Sequence, residues 1–183
     1  MLETNSAPRP QVGRHAPYFA MDATGGQHVS LDQYRGKWLV LFFYPRDFTF
    51  VCPTEIVGFS TRRDEFAVLN AEVLGVSTDS AFVHDAWVRT PVVEGGLGEL
   101  HYPLGADVTH EVSKAYGVYR EEEGLALRGL FIIDPDGVVQ YEVVHNLNVG
   151  RNIDEVLRVL QGLQTGGLCP LNWKPGEKLL APA

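Results

Sequence analysis

Two cysteines are the only thiols of this 183-residue chain, and neither sits in ordinary surroundings. Cys52 closes the run Phe43-Tyr44-Pro45-Arg46-Asp47-Phe48-Thr49-Phe50-Val51 and is followed by Pro53-Thr54-Glu55. Cys169 follows Gly166-Gly167-Leu168 and precedes Pro170-Leu171-Asn172-Trp173. A thiol at the mouth of an apolar strand and a second on a Gly-rich segment read as a reactive pair, not as core filler. The thiolate is the nucleophile, and a cysteine's ordinary pKa of about 8.5 falls to roughly 3.5–7.5 at a helix N-terminus or beside a cation. Cys52 is placed for the first effect. It enters the first turn of an expected helix over 53–69, where unpaired N–H groups and the dipole favour an anion. Pro53 costs little there, since its missing N–H would have no intrahelical partner.

Magnitude limits that argument. A fall from about 8.5 to about 6 raises the thiolate fraction near neutral pH about ten- to thirty-fold, roughly 2 kcal/mol. Enzymes supply about 8 kcal/mol or more. The site must therefore also hold the electrophile and stabilise charge on its leaving atom. The donors for that work are the Cys52 backbone N–H, the Thr49 hydroxyl and an arginine. Cys169 answers a second need. A sulfur oxidised to sulfenic acid is rescued from irreversible acids by condensing with another thiol. Gly166-Gly167 would let the segment that carries Cys169 move. A Cys-x-x-Cys oxidoreductase on a similar plan is excluded, because Glu55 stands where the second cysteine would be.

The elements that must position these residues follow from periodicity. Trp38 to Tyr44 is apolar on both faces and short, which predicts a central buried strand ended by Pro45. Ile56, Phe59, Phe66 and Leu69 recur at helical spacing. Glu72 to Thr78 reads as a second strand, and Ser80 to Arg89 as a helix capped by Ser80 with Phe82, Val83, Ala86 and Trp87 on one face. Thr109 to Tyr116 reads as a short helix capped by Thr109. Arg128 to Ile133 and Val138 to Val144 make a hairpin about Asp134-Pro135-Asp136-Gly137. Asn152 to Leu163 is the last helix, with Ile153, Val156, Leu157 and Leu160 on its apolar face. Residues 1–14 read as an extended arm, and the Gly- and Pro-rich remainder from Gln164 as a mobile tail. A βαβ unit followed by an antiparallel hairpin and a helix is a thioredoxin-like α/β plan: a central mixed sheet flanked by helices, here with added segments. The expected division is a domain over 1–163 and a tail over 164–183.

Bulk properties narrow the partners. The length is enough for one domain with a core of its own, needing no structural disulfide or metal. A formal charge of −8 argues against nucleic acid or an anionic membrane surface. No stretch approaches the roughly 18 apolar residues of a membrane span. The N-terminus has no basic start followed by an apolar run, so the cytoplasm is the expected compartment, where disulfides are mostly catalytic or redox-sensing. The six histidines are scattered, and none pairs with a cysteine at metal-ligand spacing, so neither metal nor cofactor is expected. Gly95-Gly96-Leu97-Gly98 lacks the Lys-Ser or Lys-Thr of a phosphate loop.

The motif Pro45-x-x-x-Thr49-x-x-Cys52 resembles the active-site loop of the typical two-cysteine peroxiredoxins, the family that includes the alkyl hydroperoxide reductase C component. The resemblance spans nearly the whole chain. It includes Gly13-x-x-Ala16-Pro17-x-Phe19, Ser77-Thr78-Asp79-Ser80 with His84-x-Ala86-Trp87, Arg128 to Asp134, Val149-Gly150-Arg151 and Cys169-Pro170-x-x-Trp173. It implies a thiol peroxidase for hydrogen peroxide and alkyl hydroperoxides, acting in antioxidant defence. Cys52 matches the peroxidatic cysteine, Pro45 the proline that shields it and Thr49 the hydroxyl that binds peroxide. Arg128 matches the arginine that stabilises thiolate and peroxide, and Glu55 with Arg151 the ion pair that orients it. Cys169 matches the resolving cysteine, which in the family belongs to the partner subunit. The resemblance further implies a homodimer paired through the Val138–Val144 edge, a ring of five dimers, and recycling by thioredoxin, a flavoprotein reductase or another dithiol. Over-oxidation-sensitive members carry a Gly-Gly-Leu-Gly loop and a C-terminal Tyr-Phe helix. This chain has the loop but ends ten residues after Trp173, so resistance to over-oxidation is expected.

Taken alone, several of these residues have plainer readings. Arg128 reads as a surface arginine at a strand start, Thr49 as a turn residue, Glu55 as a first-turn acid favoured by the dipole and Trp87 as packing. The alternative function is an oligomeric holdase chaperone with minor peroxidase activity.

Overall fold

The computed structural model describes residues 10–182, so most of the expected N-terminal arm, residues 1–9, lies outside the described residues. In chain order the strands and helices are β1 (Ala20–Asp22), β2 (His28–Ser30), β3 (Trp38–Phe43), α1 (Cys52–Thr61), α2 (Arg63–Val68), β4 (Ala71–Ser77), α3 (Ala81–Arg89), β5 (Leu104–Ala106), α4 (Glu111–Ala115), β6 (Tyr119–Arg120), β7 (Leu125–Ala126), β8 (Arg128–Ile133), β9 (Val139–His145) and α5 (Ile153–Thr165).

β3 is apolar on both faces because it lies in the middle of a five-stranded sheet ordered β5-β4-β3-β8-β9. It runs parallel to β4 and antiparallel to β8, so the sheet is mixed, as the element order predicted. Its alternate residues feed two layers. Leu39, Leu41 and Phe43 join Phe19, Leu74, Tyr116 and Phe131 in one buried cluster. From the same strand Phe42 stacks on Phe59 of α1, ring centroids 4.7 Å apart, and meets Tyr102 at 6.0 Å. These two layers fix α1, and therefore Cys52, against the sheet. β9 closes one edge, with a burial pattern that alternates along its length.

Four local expectations are corrected. The expected single helix over 53–69 is interrupted at Arg62, whose φ of −105° and ψ of 14° leave the helical region. The Glu65 N–H bonds the Arg62 carbonyl at 3.0 Å, an i to i+3 bond that restarts the chain as α2. On α3 the buried residues are His84 and Trp87, whereas Phe82 is 85% exposed and Ala86 is exposed too. Polar contacts draw those two inward: the Trp87 indole donates to the Gly95 carbonyl at 2.9 Å, and His84 is held by Asp47 and the Gly105 carbonyl. The N-cap position of α4 is His110, without a side-chain cap bond, and Asp107, not Thr109, serves the first-turn amides. The Asp107 carboxylate takes the amides of Val112 at 3.1 Å and Ser113 at 2.7 Å, and a charged acceptor serves two donors better than a hydroxyl does. Finally, β1, β2, β5, β6 and β7 add strands of two or three residues where no strand was expected.

The chain divides into two compact units, Met1–Arg151 and Asn152–Ala183, so α5 groups with the C-terminal segment that the sequence reading separated at 164. Within the second unit, Asn152 caps α5 by accepting the Glu155 amide, and Val156, Leu157 and Leu160 are buried. The Gly- and Pro-rich stretch closes into a loop. Leu180 donates to the Leu168 carbonyl at 2.9 Å, and Trp173 is buried with its indole on the Glu177 carbonyl at 3.0 Å. Among the described residues no helix is long and apolar enough to cross a membrane.

Candidate active site

Cys52 opens α1, with Val51 as N-cap and Pro53 in the first turn. Its sulfur is fully buried. At this position the Cys52 N–H has no intrahelical acceptor and the dipole points its positive end at the sulfur. Glu55 lies three residues on, hence on the same face of the first turn.

Glu55 is the hub of a buried ion cluster. Arg128, at the start of β8, donates from Nη1 to Glu55 Oε2 at 2.6 Å and to Cys52 Sγ at 3.4 Å, while its Nε holds the Leu147 carbonyl at 2.7 Å. Arg151 grips the same carboxylate from Nε at 2.7 Å and Nη2 at 2.9 Å, and adds its backbone amide at 2.8 Å. Its Nη1 binds the Phe43 and Gly129 carbonyls, and the guanidinium lies 5.0 Å from the Phe42 ring centre. The three side chains are only 2–4% exposed. Burial pushes the Arg151 guanidinium below its ordinary value, and the Glu55 carboxylate opposes that shift. Two guanidinium groups and one carboxylate leave an excess of one positive charge. An anion on the Cys52 sulfur brings the buried cluster to neutrality, which is what a desolvated site requires.

The segment between β3 and α1 carries the other expected residues. Pro45 is buried where β3 ends, and Thr49 is half-buried. The Thr49 hydroxyl donates to the Arg46 carbonyl at 2.9 Å, which leaves its oxygen able to accept. Arg46 in turn reaches the Glu123 carbonyl at 2.7 Å, tying the loop to the turn after β6. The structure thus links Cys52 to Arg128, Arg128 to Glu55 and Glu55 to Arg151, and sets Thr49 on the loop that leads to the sulfur. A surface hollow of about 710 Å³, lined by Phe19, Met21, Phe82 and Val112 among others, includes none of these residues and does not mark the chemistry.

Cys169 belongs to the second unit, half-buried beside α5. Its sulfur lies 3.8 Å from both the Gly162 carbonyl and the Thr165 hydroxyl. A Cβ at Gly162 would make ordinary van der Waals contact, 3.4 Å from that sulfur and 3.6 Å from the Trp173 ring. Both cysteines are free thiols in this structure.

Sequence reasoning gave no role to the cluster of Tyr44, Asp47 and His84, although His84 sat in a motif it singled out. Asp47 is bonded by both partners, to Tyr44 at 2.8 Å and His84 at 2.7 Å. A histidine three positions before a tryptophan on a helix is the signal that was available. Among the described residues no group of His, Cys, Asp and Glu side chains has the arrangement of a metal site.

The geometry suits a two-electron attack by sulfur: a desolvated nucleophile at a helix N-terminus, an arginine against it and a hydroxyl on the adjoining loop. The family described as AhpC/TSA matches residues 12–142. The protein YkuU of Bacillus subtilis (strain 168) is 60% identical over 175 residues, covering 92% of this chain and 97% of that protein. The chloroplastic 2-Cys peroxiredoxin BAS1 of Hordeum vulgare is 54% identical over 181 residues, covering 94% of this chain and 86% of that one. The reduced 2-Cys peroxiredoxin of Plasmodium vivax superposes with a TM-score of 0.90 at 39% identity, over 94% of this chain and 93% of its own. With a buried cysteine set against an arginine on a thioredoxin-like sheet, the chain belongs to the AhpC/TSA family and is a peroxiredoxin, a thiol-dependent peroxidase.

Proposed function

We propose that Cys52 is the peroxidatic thiol and Cys169 of the partner subunit its resolving thiol. The Cys52 thiolate attacks the terminal oxygen of hydrogen peroxide or an alkyl hydroperoxide. The O–O bond breaks, the sulfur loses two electrons to become sulfenic acid, and the departing oxygen takes a proton to leave as water or alcohol. The Cys169 thiol then condenses with the sulfenic acid, forming an S–S bond and releasing water. An external dithiol, thioredoxin or a flavoprotein reductase among the candidates, restores both thiols by exchange.

The observation that carries the reading is the Arg128 Nη1 contact of 3.4 Å to the buried sulfur inside a cluster with one excess positive charge. Arg128 steadies the anion before attack and the leaving oxygen during it. Glu55 and Arg151 hold Arg128 in place. The Thr49 oxygen accepts the O–H of the peroxide, and Pro45 keeps water from the sulfur. Residues 1–163 perform the peroxide step and 164–183 deliver the resolving thiol. β9, at the sheet edge with half-exposed side chains, supports pairing into a homodimer, and the family pattern extends this to a ring of five dimers. The cytoplasm is the proposed compartment. The names of the relatives are those of peroxidases and give the holdase reading no support.

The test is peroxide consumption with candidate dithiol reductants beside non-reducing gels. Cys52→Ser abolishes turnover. A disulfide-linked dimer forms in the wild type and is lost in both Cys52→Ser and Cys169→Ser. A persistent oxidised monomer would overturn the intersubunit pairing.

A further inference from the structure

The peroxidase chemistry leaves a buried polar cluster unused, five residues before the reactive sulfur. The side chains of Asp47 and His84 are 1% and 0% exposed. His84 Nε2 faces the Gly105 carbonyl at 3.1 Å, and a carbonyl only accepts, so Nε2 carries a proton. His84 Nδ1 meets Asp47 Oδ2 at 2.7 Å, a contact that shares one further proton. Tyr44 donates to Asp47 Oδ1 at 2.8 Å. Every polar atom of the trio is partnered, and the trio is net neutral whichever of Asp47 and His84 holds the shared proton. The backbone is held as well. The Asp47 amide donates to Asp79 at 2.9 Å, and that carboxylate also takes the Ser77 hydroxyl at 2.7 Å.

The residue after this lock is strained. Phe48 has φ of 54°, a left-handed conformation that a bulky side chain avoids. Such a conformation persists where its surroundings over-determine it. Asp47 fixes the chain on one side, and the Phe48 ring rests on Trp87 at 5.5 Å. Thr49 and Cys52 follow directly. The bend at Phe48 therefore sets the direction from which the hydroxyl and the sulfur are presented.

We propose that Asp47, locked by His84 and Tyr44, is a positioning residue that holds the strained Phe48–Val51 segment in its peroxide-reactive arrangement against an unwound one that favours the disulfide. The proposal rests on Cys52 being the peroxidatic thiol. Asp47 touches neither sulfur nor substrate and acts through the backbone. Loosening it has two opposite effects. The first oxidation slows, because Thr49 and Cys52 lose their alignment. Over-oxidation per turnover falls, because a sulfenic acid on an unwound segment meets the resolving thiol sooner than a second peroxide.

The experiment uses the full chain. Cys52 oxidation is timed by competition with horseradish peroxidase for hydrogen peroxide, and sulfinic acid per turnover is read by intact mass. Asp47→Ala is expected to slow oxidation at least tenfold and to lower over-oxidation per turnover several-fold. Asp47→Asn keeps the geometry, its amide N–H donating to His84 Nδ1 and its oxygen accepting from Tyr44, and is expected within threefold of wild type on both readouts. A generally loosened fold would not move the two readouts in opposite benefit while the amide rescues them. If Asp47→Ala does not fold, Tyr44→Phe removes one bond to Asp47 and is expected to move both readouts the same way, two- to fivefold. Unchanged oxidation and partition in whichever of the two folds would overturn the proposal. So would increased over-oxidation, or an Asp47→Asn variant as impaired as Asp47→Ala. Cys52→Ser separates the premise: if that variant still consumes peroxide, the assignment of Cys52 fails, not the role of Asp47.

Discussion

Replacing Arg128 by methionine isolates the electrostatic part of the site. Methionine is unbranched and fills irregular space, so the change removes charge and donors with little change of shape. The Nη1–Sγ separation is 3.4 Å. Two unit charges at that distance interact by about 5 kcal/mol at an effective dielectric constant of about 20. A hydrogen bond to a charged group is worth about 1.5–3 kcal/mol by mutation. Water entering the site and small movements of Arg151 return part of the loss, so about 2–4 kcal/mol of anion stabilisation disappears. That corresponds to a drop of roughly thirty- to a thousand-fold in the rate of Cys52 oxidation. The fold survives, because Glu55 keeps both Arg151 side-chain bonds and the Arg151 amide. Arg128→Lys falls in between, since a point charge cannot serve the sulfur, Glu55 and the Leu147 carbonyl in one fork. The assay is competition for hydrogen peroxide against a second peroxidase, with thermal melting as the control. A folded Arg128→Met protein within fivefold of wild type would refute the claim that this arginine stabilises the reacting sulfur.

Two further outcomes follow from the geometry. At Gly96 an added Cβ would lie 1.9 Å from the Thr90 carbonyl oxygen, so Gly96→Ala forces the Gly95–Gly98 loop off α3 and costs about 1–3 kcal/mol, read as a lower melting temperature. Burial raises the Asp47 carboxyl above its ordinary 3.8, against the lowering effect of His84, so the folded state holds this proton to higher pH than the unfolded chain does. The stability tied to that proton is present below pH 3.8 and is lost as pH rises through the folded value. Asp47→Asn removes this slope, and melts across pH 4–7 would count against it if the variant tracked the wild type throughout.

What the sequence disclosed depended on how local each cause is. Trp38–Phe43 and Arg128–Ile133 announce themselves by continuous apolar patterning, and the Ser80 cap by chemistry within three residues. The two- and three-residue strands have no period to detect, and each forms because a neighbour offers an edge. His84 lies off the apolar face expected for α3 and has no local signal of burial. It is inside because Asp47 and Gly105, 37 and 21 positions away, complete its hydrogen bonds. Arg128 alone reads as a surface residue for the same reason. Its burial depends on Glu55, 73 positions distant, and on Arg151 sharing that carboxylate. The resemblance to peroxiredoxins supplied those partners, whereas local spacing did not.

The placement of Glu55 ties the two halves of the chemistry together. Cys52 and Glu55 share the first turn of α1, while Arg128 and Arg151 are fixed to β8 and to the Phe43 and Gly129 carbonyls of the sheet. On the proposed pairing of Cys52 with Cys169, unwinding that turn to free the sulfur would also draw the Glu55 carboxylate away from the two guanidinium groups. On that reading the cluster set against the sulfur is present only while the turn is wound, and the disulfide is accessible only once it is not. The wound state must be favoured, or the peroxide step is lost, yet only modestly. If the unwound state holds about 1–10% of the population, the gap is about 1.3–2.7 kcal/mol. That is the size of one or two hydrogen bonds to a charged group. Single contacts at this turn therefore suffice to shift the balance between oxidation and resolution, without any change in the sulfur's own neighbours.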